Sequence, residues 1–77
     1  MYIVYVLKSS SKNFRYVGMT NNLERKLKEH VSGYSKTTKR FLPVEFIYKE
    51  EYKTRTEARE REKYLKSGIG RDFLNKL

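Results

Sequence analysis

The feature that most constrains the fold is the stretch over residues 16–30, which reads Tyr-Val-Gly-Met-Thr-Asn-Asn-Leu-Glu-Arg-Lys-Leu-Lys-Glu-His. Its first two residues are β-prone, and Gly18 behind them lets the backbone bend. Leu23, Leu27 and Val31 recur every four residues and predict a helix with one apolar stripe. A strand end followed directly by a helix can bring polar side chains together, so this stretch is the first candidate for a functional site.

Both ends of this helix carry capping signals. Thr20 or Asn21 can cap its N-terminus, and Glu24 lies three residues after Asn21, as in a capping box. Ser32 and Gly33 are expected to end it. The predicted helix therefore runs from residue 23 to about residue 31.

Two strands are predicted before this helix and a short helix after it. Residues 2–7 are apolar at every position, which is typical of a central strand covered on both faces. Residues 14–17 follow closely enough to form an antiparallel hairpin with that strand. Residues 34–42 carry three basic side chains and no acid, and we expect a basic loop with a short helix that ends before the proline.

The C-terminal part of the chain predicts two helices. Thr54 is followed by Glu57 at capping-box spacing, and a helix over about residues 55–66 is expected after it. Residues 67–70, Ser-Gly-Ile-Gly, should break this helix. A last short helix is expected over residues 71–77.

Between these parts, residues 44–48 predict a third strand that places Val44, Phe46 and Tyr48 on one face. The resulting order is strand, strand, helix, short helix, strand, helix, helix. It predicts one α+β domain over residues 1–77, written ββααβαα, with a three-stranded antiparallel sheet of order 2-1-3 flanked by helices.

The composition indicates a nucleic-acid partner and excludes several kinds of chemistry. Eighteen Lys and Arg against nine acids give a net charge of +9, which favours a polyanion such as nucleic acid over a merely solvated basic surface. The chain has no cysteine, one histidine and no glycine-rich phosphate loop, so thiol nucleophiles, a Ser-His-Asp triad and P-loop chemistry are not indicated. No stretch is long and apolar enough for a membrane span or a signal peptide, and we expect a cytoplasmic protein.

Glu62 is the most informative residue outside the opening stretch. At 100° per residue it lies inside the helical stripe of Ala58, Leu65 and Ile69. A carboxylate on an apolar face is costly to bury unless it is paired or holds a metal. Glu62 is therefore a candidate metal ligand.

Each candidate also has a structural explanation. Glu62 could reach solvent from the stripe edge, or pair with Lys66 or Arg59. Tyr5 lies in the middle of the most apolar strand, and an ordinary core tyrosine also needs a partner for its hydroxyl. In a hairpin, Tyr5 and Tyr16 could lie on adjacent strands near the same end.

Arg25 and His30 are the polar candidates on the first helix. Arg25 lies opposite the apolar stripe and could simply pair with Glu29 one turn later. His30 lies near the stripe edge at the helix C-terminus, where a proton on it is favoured. The two residues are about 140° apart around the helix, so they do not share a face.

Taken together, these residues closely resemble the GIY-YIG nuclease superfamily, specifically its small stand-alone bacterial members. Residues 3–5, Ile-Val-Tyr, match the GIY motif without its glycine, and residues 16–18, Tyr-Val-Gly, match YIG. Arg25 and His30 match the polar positions of the following helix, and Glu62 matches the metal-binding glutamate. The resemblance covers essentially the whole chain.

The resemblance implies an endonuclease that hydrolyses phosphodiester bonds in DNA with one Mg²⁺ or Mn²⁺ ion. Glu62 would hold the ion on the scissile phosphate. Tyr16 or Tyr5 would orient and deprotonate the attacking water, directly or through His30. Arg25 would stabilise the charge that builds on the transition state, a role that suits its planar donors.

Five further residues are expected to bind nucleic acid. Three are the basic side chains of residues 34–42, and two lie in the closing stretch that resembles the family, where members often use a late asparagine: Lys36, Lys39, Arg40, Arg71 and Asn75. Many DNA-repair members carry a lysine directly after YIG, where this chain has Met19. Family enzymes usually carry a separate DNA-targeting domain, so a partner protein could supply targeting to this bare module, which we expect to be a monomer.

Two alternatives to a nuclease remain on sequence grounds. One is a nucleic-acid-binding module that keeps the fold but has little or no catalytic activity, and the other is a small protein-interaction domain. The basic charge supports the nuclease and the binding module equally. Glu62 favours the nuclease, because binding alone does not require a carboxylate on an apolar stripe.

Overall fold

The computed structural model describes residues 1–33 and 39–77, without the side chain of Val31. In chain order, its elements are β1 (Tyr2–Ser9), β2 (Arg15–Thr20), α1 (Leu23–Val31), a short 3-10 helix (Lys39–Phe41), β3 (Val44–Tyr52), α2 (Arg55–Lys66) and α3 (Gly68–Leu74). The sheet has the order β2-β1-β3, and both strand pairs are antiparallel. The predicted α+β class, element order and sheet order are confirmed.

β1 is the central strand and is covered on both faces, as its continuous apolar run predicts. Val4 and Val6 pack on one face, and Tyr5 and Leu7 pack on the other; none of the four is more than 2% exposed. The Val4 face is covered by buried side chains of α2 and α3: Ala58, Leu65 and Leu74. The Tyr5 face is covered by α1, through Leu23 and Leu27.

β3 departs from the predicted pattern. It continues to residue 52, beyond the predicted end at residue 48. The register with β1 shifts between Phe46 and Tyr48, which leaves Ile47 as an extra residue. This β-bulge reverses the alternation, so Val44 packs with Tyr5 whereas Tyr48 packs against the α2 side. The prediction that Val44, Phe46 and Tyr48 share one face is therefore wrong.

α1 has the predicted length but a different cap. The side chain of Asn22, rather than Thr20 or Asn21, accepts a hydrogen bond from the Arg25 amide at 3.1 Å. Thr20 instead bonds the backbone of Asn22, which fixes the turn between β2 and the helix. Gly33 follows the helix with φ of 84°, a conformation that glycine adopts without strain.

α2 begins and ends where the sequence predicts. Thr54 caps it by accepting from the Glu57 amide at 3.2 Å, and Ala58 and Leu65 are fully buried. Ile69 was predicted to extend this buried stripe, and that prediction is wrong. It is 71% exposed, because α2 ends three residues before it.

The predicted break after α2 is confirmed at Ser67, which is extended, but α3 runs over Gly68–Leu74 rather than residues 71–77, so residues 68–70 of the predicted break belong to it. Ser67 caps α3 by accepting from the Gly70 amide at 3.3 Å. A Cβ atom on Gly70 would lie 2.1 Å from the carbonyl oxygen of Tyr64 in α2. Gly70 therefore permits close packing of α2 and α3 and does not end a helix.

A polar network that the sequence did not predict joins β3 to the helices. The Glu50 carboxylate accepts hydrogen bonds from the hydroxyls of Tyr48 and Tyr52 and from Arg61 of α2, at 2.8 Å from Nε and 3.1 Å from Nη2. The Arg61 guanidinium also lies 5.4 Å from the ring centroid of Phe73 in α3. This network is structural, because its donors and acceptors satisfy one another.

Within residues 1–33 and 39–77, no helix is both long enough and apolar enough to cross a lipid bilayer.

Candidate active site

The structure brings together three of the predicted site residues, Tyr5, Tyr16 and His30. In the β1–β2 register Tyr5 pairs with Gly18 and Leu7 pairs with Tyr16, which places both tyrosines on the sheet face that α1 covers. The ring centroids of the two tyrosines are 6.2 Å apart. The centroid of the His30 ring lies 5.8 Å from that of Tyr5 and 5.1 Å from that of Tyr16. We call these three residues the ring cluster.

Gly18 makes this cluster possible by its lack of a side chain. A Cβ atom there would lie 2.5 Å from the Cζ and hydroxyl oxygen of Tyr5, and 2.9 Å from the Tyr16 ring. Gly18 lies inside β2 and does not have a positive φ, so the predicted bend after Tyr16 is wrong. The glycine is needed because the Tyr5 ring crosses the neighbouring strand at this point.

Within the cluster, the Tyr5 hydroxyl lies 2.9 Å from Nε2 of His30, and both side chains are almost fully buried. Burial raises the pKa of the Tyr5 phenol well above its usual range, and the nearby Tyr16 and Glu62 raise it further. Burial, and next the charge of Lys26, lowers the pKa of His30. A neutral imidazole and a protonated phenol result, so Tyr5 donates the hydrogen bond and His30 accepts it.

The two tyrosines, which the sequence could not distinguish, have different access to solvent. Tyr5 is only 2% exposed, whereas Tyr16 is half-buried and lines an open cleft of about 530 Å³. His30 is 3% exposed. Of the ring cluster, Tyr16 is therefore the residue that a substrate or a water in the cleft can touch.

Glu62 lies on α2 near the ring cluster, close enough for its charge to act on Tyr5. Its side chain is 18% exposed, and its Oε2 is 3.3 Å from the ammonium of Lys66. This is one of the pairings that the structural explanation allows. Lys66 lines the cleft together with Tyr16, so the ion pair connects Glu62 to this opening, although Glu62 itself is not one of the lining residues.

The carboxylate and imidazole groups near Glu62 determine whether the divalent ion that the resemblance implies fits this site. Among the described residues, no group of three or more His, Asp or Glu side chains could hold a metal. Mg²⁺ at phosphoryl-transfer sites commonly takes only one or two protein carboxylates and completes its octahedron with water and phosphate oxygens. Glu62, partly accessible beside a cleft, fits such a site as the single protein ligand.

Arg25 and the basic residues divide into two groups. Arg71 and Asn75 line the cleft beside Tyr16. Arg25 is exposed on α1 and is not among the cleft residues; Glu29, its predicted partner, pairs with Lys26 at 3.3 Å instead. Lys39 and Arg40 are exposed on the 3-10 helix. Lys36 lies outside the described residues.

One residue of this cleft was not predicted from the sequence as part of the site. Arg15 lines the cleft next to Tyr16, and its Nε is buried with no hydrogen-bond partner among the described residues. The available signal was its position, directly before the residues that match YIG. A basic residue at a strand start is common, so position alone did not distinguish it.

The fold and this site define a class of protein. The family model described as the GIY-YIG catalytic domain matches residues 1–74. The chain therefore belongs to the GIY-YIG superfamily of nucleases.

Particular relatives place the chain more closely. It is 40% identical to a UPF0213 protein of Clostridium perfringens over 67 residues, and the aligned segment covers 86% of this chain and 71% of that protein. It is 40% identical over 63 residues to the UPF0213 protein YazA of Bacillus subtilis, covering 80% of this chain and 63% of that protein. The chain is thus similar to small stand-alone bacterial members of the superfamily, as predicted. No solved structure matches it significantly.

Proposed function

We propose that this protein is a metal-dependent endonuclease that hydrolyses phosphodiester bonds in DNA with a single Mg²⁺ or Mn²⁺ ion. The observation that carries the proposal is that Tyr16 and Lys66, the ion-pair partner of Glu62, line one cleft. The family assignment and the net charge of +9 support a nucleic-acid substrate.

In this mechanism Glu62 would hold the ion, which would supply Lewis-acid activation of the scissile phosphate when bound. Tyr16 contacts and orients the attacking water, because it is the tyrosine that reaches the cleft. Tyr5 positions His30 through their 2.9 Å hydrogen bond, which occupies Nε2, the unprotonated nitrogen of the neutral ring. A proton from the water would therefore reach His30 only by relay, with Tyr16 passing its proton to Tyr5 and Tyr5 passing its own to Nε2. Arg25 neutralises charge on the transition state from the exposed side of α1.

A second function has an observation in its favour. Glu62 already has a cationic partner, and no further carboxylate or imidazole joins it in a metal-binding group among the described residues. A nucleic-acid-binding module with this fold and little or no catalytic activity would need nothing more. Both functions predict that the protein binds nucleic acid, but only the nuclease predicts cleavage, so a cleavage assay distinguishes them.

The test is a cleavage assay with Mn²⁺ on duplex, flapped, branched and single-stranded DNA. We expect at least one substrate to be cut, and Tyr16→Phe to slow cutting about 100-fold, since general acid–base groups contribute about 10²–10⁴-fold. Tyr2→Phe is the matched control, because Tyr2 packs on the opposite face of the sheet. Binding of these DNA substrates without any cutting would favour the binding module.

A further inference from the structure

The cleft beside Tyr16 has the chemical character of an anion site. It lies between the start of β2 and the junction of α2 with α3, and no carboxylate is among the described residues that line it. Three cations and two carboxamides accompany the tyrosine in that lining: Asn13, Arg15, Tyr16, Lys66, Arg71 and Asn75. The remaining lining is apolar, which lowers the local dielectric and so strengthens charge interactions at the cleft.

Arg15 shows an unmet requirement for an acceptor. Its Nε is buried and makes no hydrogen bond within the described residues. Leaving a buried charged donor unpaired is unfavourable, and native proteins rarely do so without a reason. Arg71 is exposed and takes part in none of the salt bridges between described residues, so the cleft lining holds a second guanidinium that an anion can pair with.

We propose that this cleft is a phosphate-binding subsite that holds a backbone phosphate of the substrate strand next to the scissile one. Arg15 and Arg71 bind the phosphate oxygens, since the planar guanidinium matches phosphate geometry. Asn13 and Asn75 add neutral donors, as is common in contacts to the sugar-phosphate backbone. This inference rests on the proposed function and deepens it by assigning the path of the strand.

Continuity with the candidate active site supports this path. Tyr16 belongs both to the ring cluster and to the cleft lining, and Lys66 both lines the cleft and pairs with Glu62. A strand whose scissile phosphate lies at Tyr16 and Glu62 therefore passes directly into the cleft. The subsite then fixes the register of the strand without reading its sequence.

The experiment measures binding without metal, so that no cleavage occurs. A fluorescent 12-nucleotide single strand and a duplex of the same sequence are titrated in EDTA over a range of NaCl concentrations. The variants are Arg15→Gln, Arg71→Gln and the double variant; Arg59→Gln, exposed on α2 and outside the cleft, removes the same charge elsewhere. Thermal melting of each variant accompanies the titration.

We expect the double variant to bind at least about 10-fold more weakly, and the magnitude of the slope of log K against log[NaCl] to fall by about 1, because both guanidinium groups contact the same phosphate. Arg59→Gln should stay within about twofold of the wild type at the same salt concentration. Equal losses in Arg59→Gln and Arg71→Gln would overturn the proposal, because they would report net charge alone. Arg71 is exposed, so its variant remains informative if Arg15→Gln fails to fold.

Two further arms separate other outcomes. Inorganic phosphate and thymidine 5′-monophosphate compete for the cleft; if they displace the strand at micromolar concentrations, the cleft is a small-metabolite site and the proposal fails. If the wild type cleaves DNA and the double variant cleaves it with the same KM, the proposed subsite is wrong but the nuclease function stands. If the wild type cleaves nothing but the Arg15 and Arg71 variants still bind DNA more weakly, the nuclease function is wrong and the phosphate-binding subsite stands.

Discussion

The carboxylate of Glu62 lies 3.3 Å from the ammonium of Lys66, one helical turn further along α2. The residue that matches the family's metal ligand is therefore already neutralised by a cation in this structure. Lys66 is 54% exposed, so it can swing away at little cost when a divalent ion competes for the carboxylate. The ion pair satisfies a largely buried Glu62 until that happens.

Lys66→Gln should raise the affinity for Mn²⁺ in the absence of DNA. The lysine competes with the ion, and an exposed pair of this kind is worth up to about 1 kcal/mol, which corresponds to at most about fivefold in affinity. Calorimetric titration with MnCl₂ measures the change. Lys63→Gln, exposed on the same helix, is the control for net charge. Weaker Mn²⁺ binding by Lys66→Gln would show that Lys66 helps to hold the site and does not compete.

Gly18→Ala should destabilise the protein by about 1–3 kcal/mol, the usual range for overpacking a core. The added methyl would meet the Tyr5 ring at 2.5 Å. Urea denaturation measures the loss, and a double-mutant cycle with Tyr5→Ala assigns it to this contact. If Gly18→Ala costs the same in the Tyr5→Ala background, the contact with the ring does not explain the glycine.

The stability of the protein should fall as the pH drops below about 6.5. Burial, and next Lys26, lowers the pKa of His30 from its ordinary value of 6.5, so the unfolded chain binds the proton more readily than the folded one. The stabilisation is complete above that value and is lost toward the folded pKa, by up to about 1.4 kcal/mol per pH unit. Chemical denaturation at several pH values should show this slope in the wild type and lose it in His30→Gln. An identical slope in both proteins would contradict the assignment.

Glu50→Gln should cost about 2–3 kcal/mol, in the range of hydrogen bonds to charged groups. Desolvation alone would raise the pKa of Glu50, but the hydrogen bonds from Arg61, Tyr48 and Tyr52 lower it below its ordinary value of 4.5. This contribution is present above about pH 4.5 and is lost as the pH falls through the folded pKa.

Denaturation at pH 7 and at pH 3 checks this, with Glu51→Gln as the neighbouring control. Among the residues that the structure describes, Glu51 pairs with Lys49 alone, and both side chains are exposed, so its variant should change stability by less than about 0.5 kcal/mol. Equal losses in the two variants would mean that the buried network contributes no more than a surface pair.

The features that sequence patterns predicted are those with local causes. Thr54 and Glu57 signal the start of α2 three residues apart, and the apolar run of β1 signals a strand covered on both faces. The sheet order followed because a hairpin and a central strand leave few arrangements for the third strand. The match of residues 3–5 and 16–18 to family motifs indicated Tyr5 and Tyr16.

The features that sequence patterns missed depend on distant partners. The bulge at Ile47 is defined only by the register with β1, and Gly70 is required only because α3 packs against the Tyr64 carbonyl. The importance of Arg15 depends on a cleft whose other wall is formed by residues about fifty positions later in the chain. The different access of Tyr5 and Tyr16 likewise depends on strand pairing, because Tyr5 lies on the central strand β1 and Tyr16 on the edge strand β2.

The most direct test of the proposed nuclease is the single-turnover cleavage rate of the wild type, Glu62→Gln and Glu60→Gln with saturating Mn²⁺ on whichever DNA substrate the wild type cuts. Glu60 is exposed on the same helix and controls for the loss of one carboxylate. We predict that Glu62→Gln cuts at least about 100-fold more slowly, since even outer-shell partners of a metal ligand are worth 10–100-fold, while Glu60→Gln cuts at the wild-type rate. A Glu62→Gln protein that is correctly folded and cuts as fast as the wild type would contradict the role of Glu62 and the mechanism built on it.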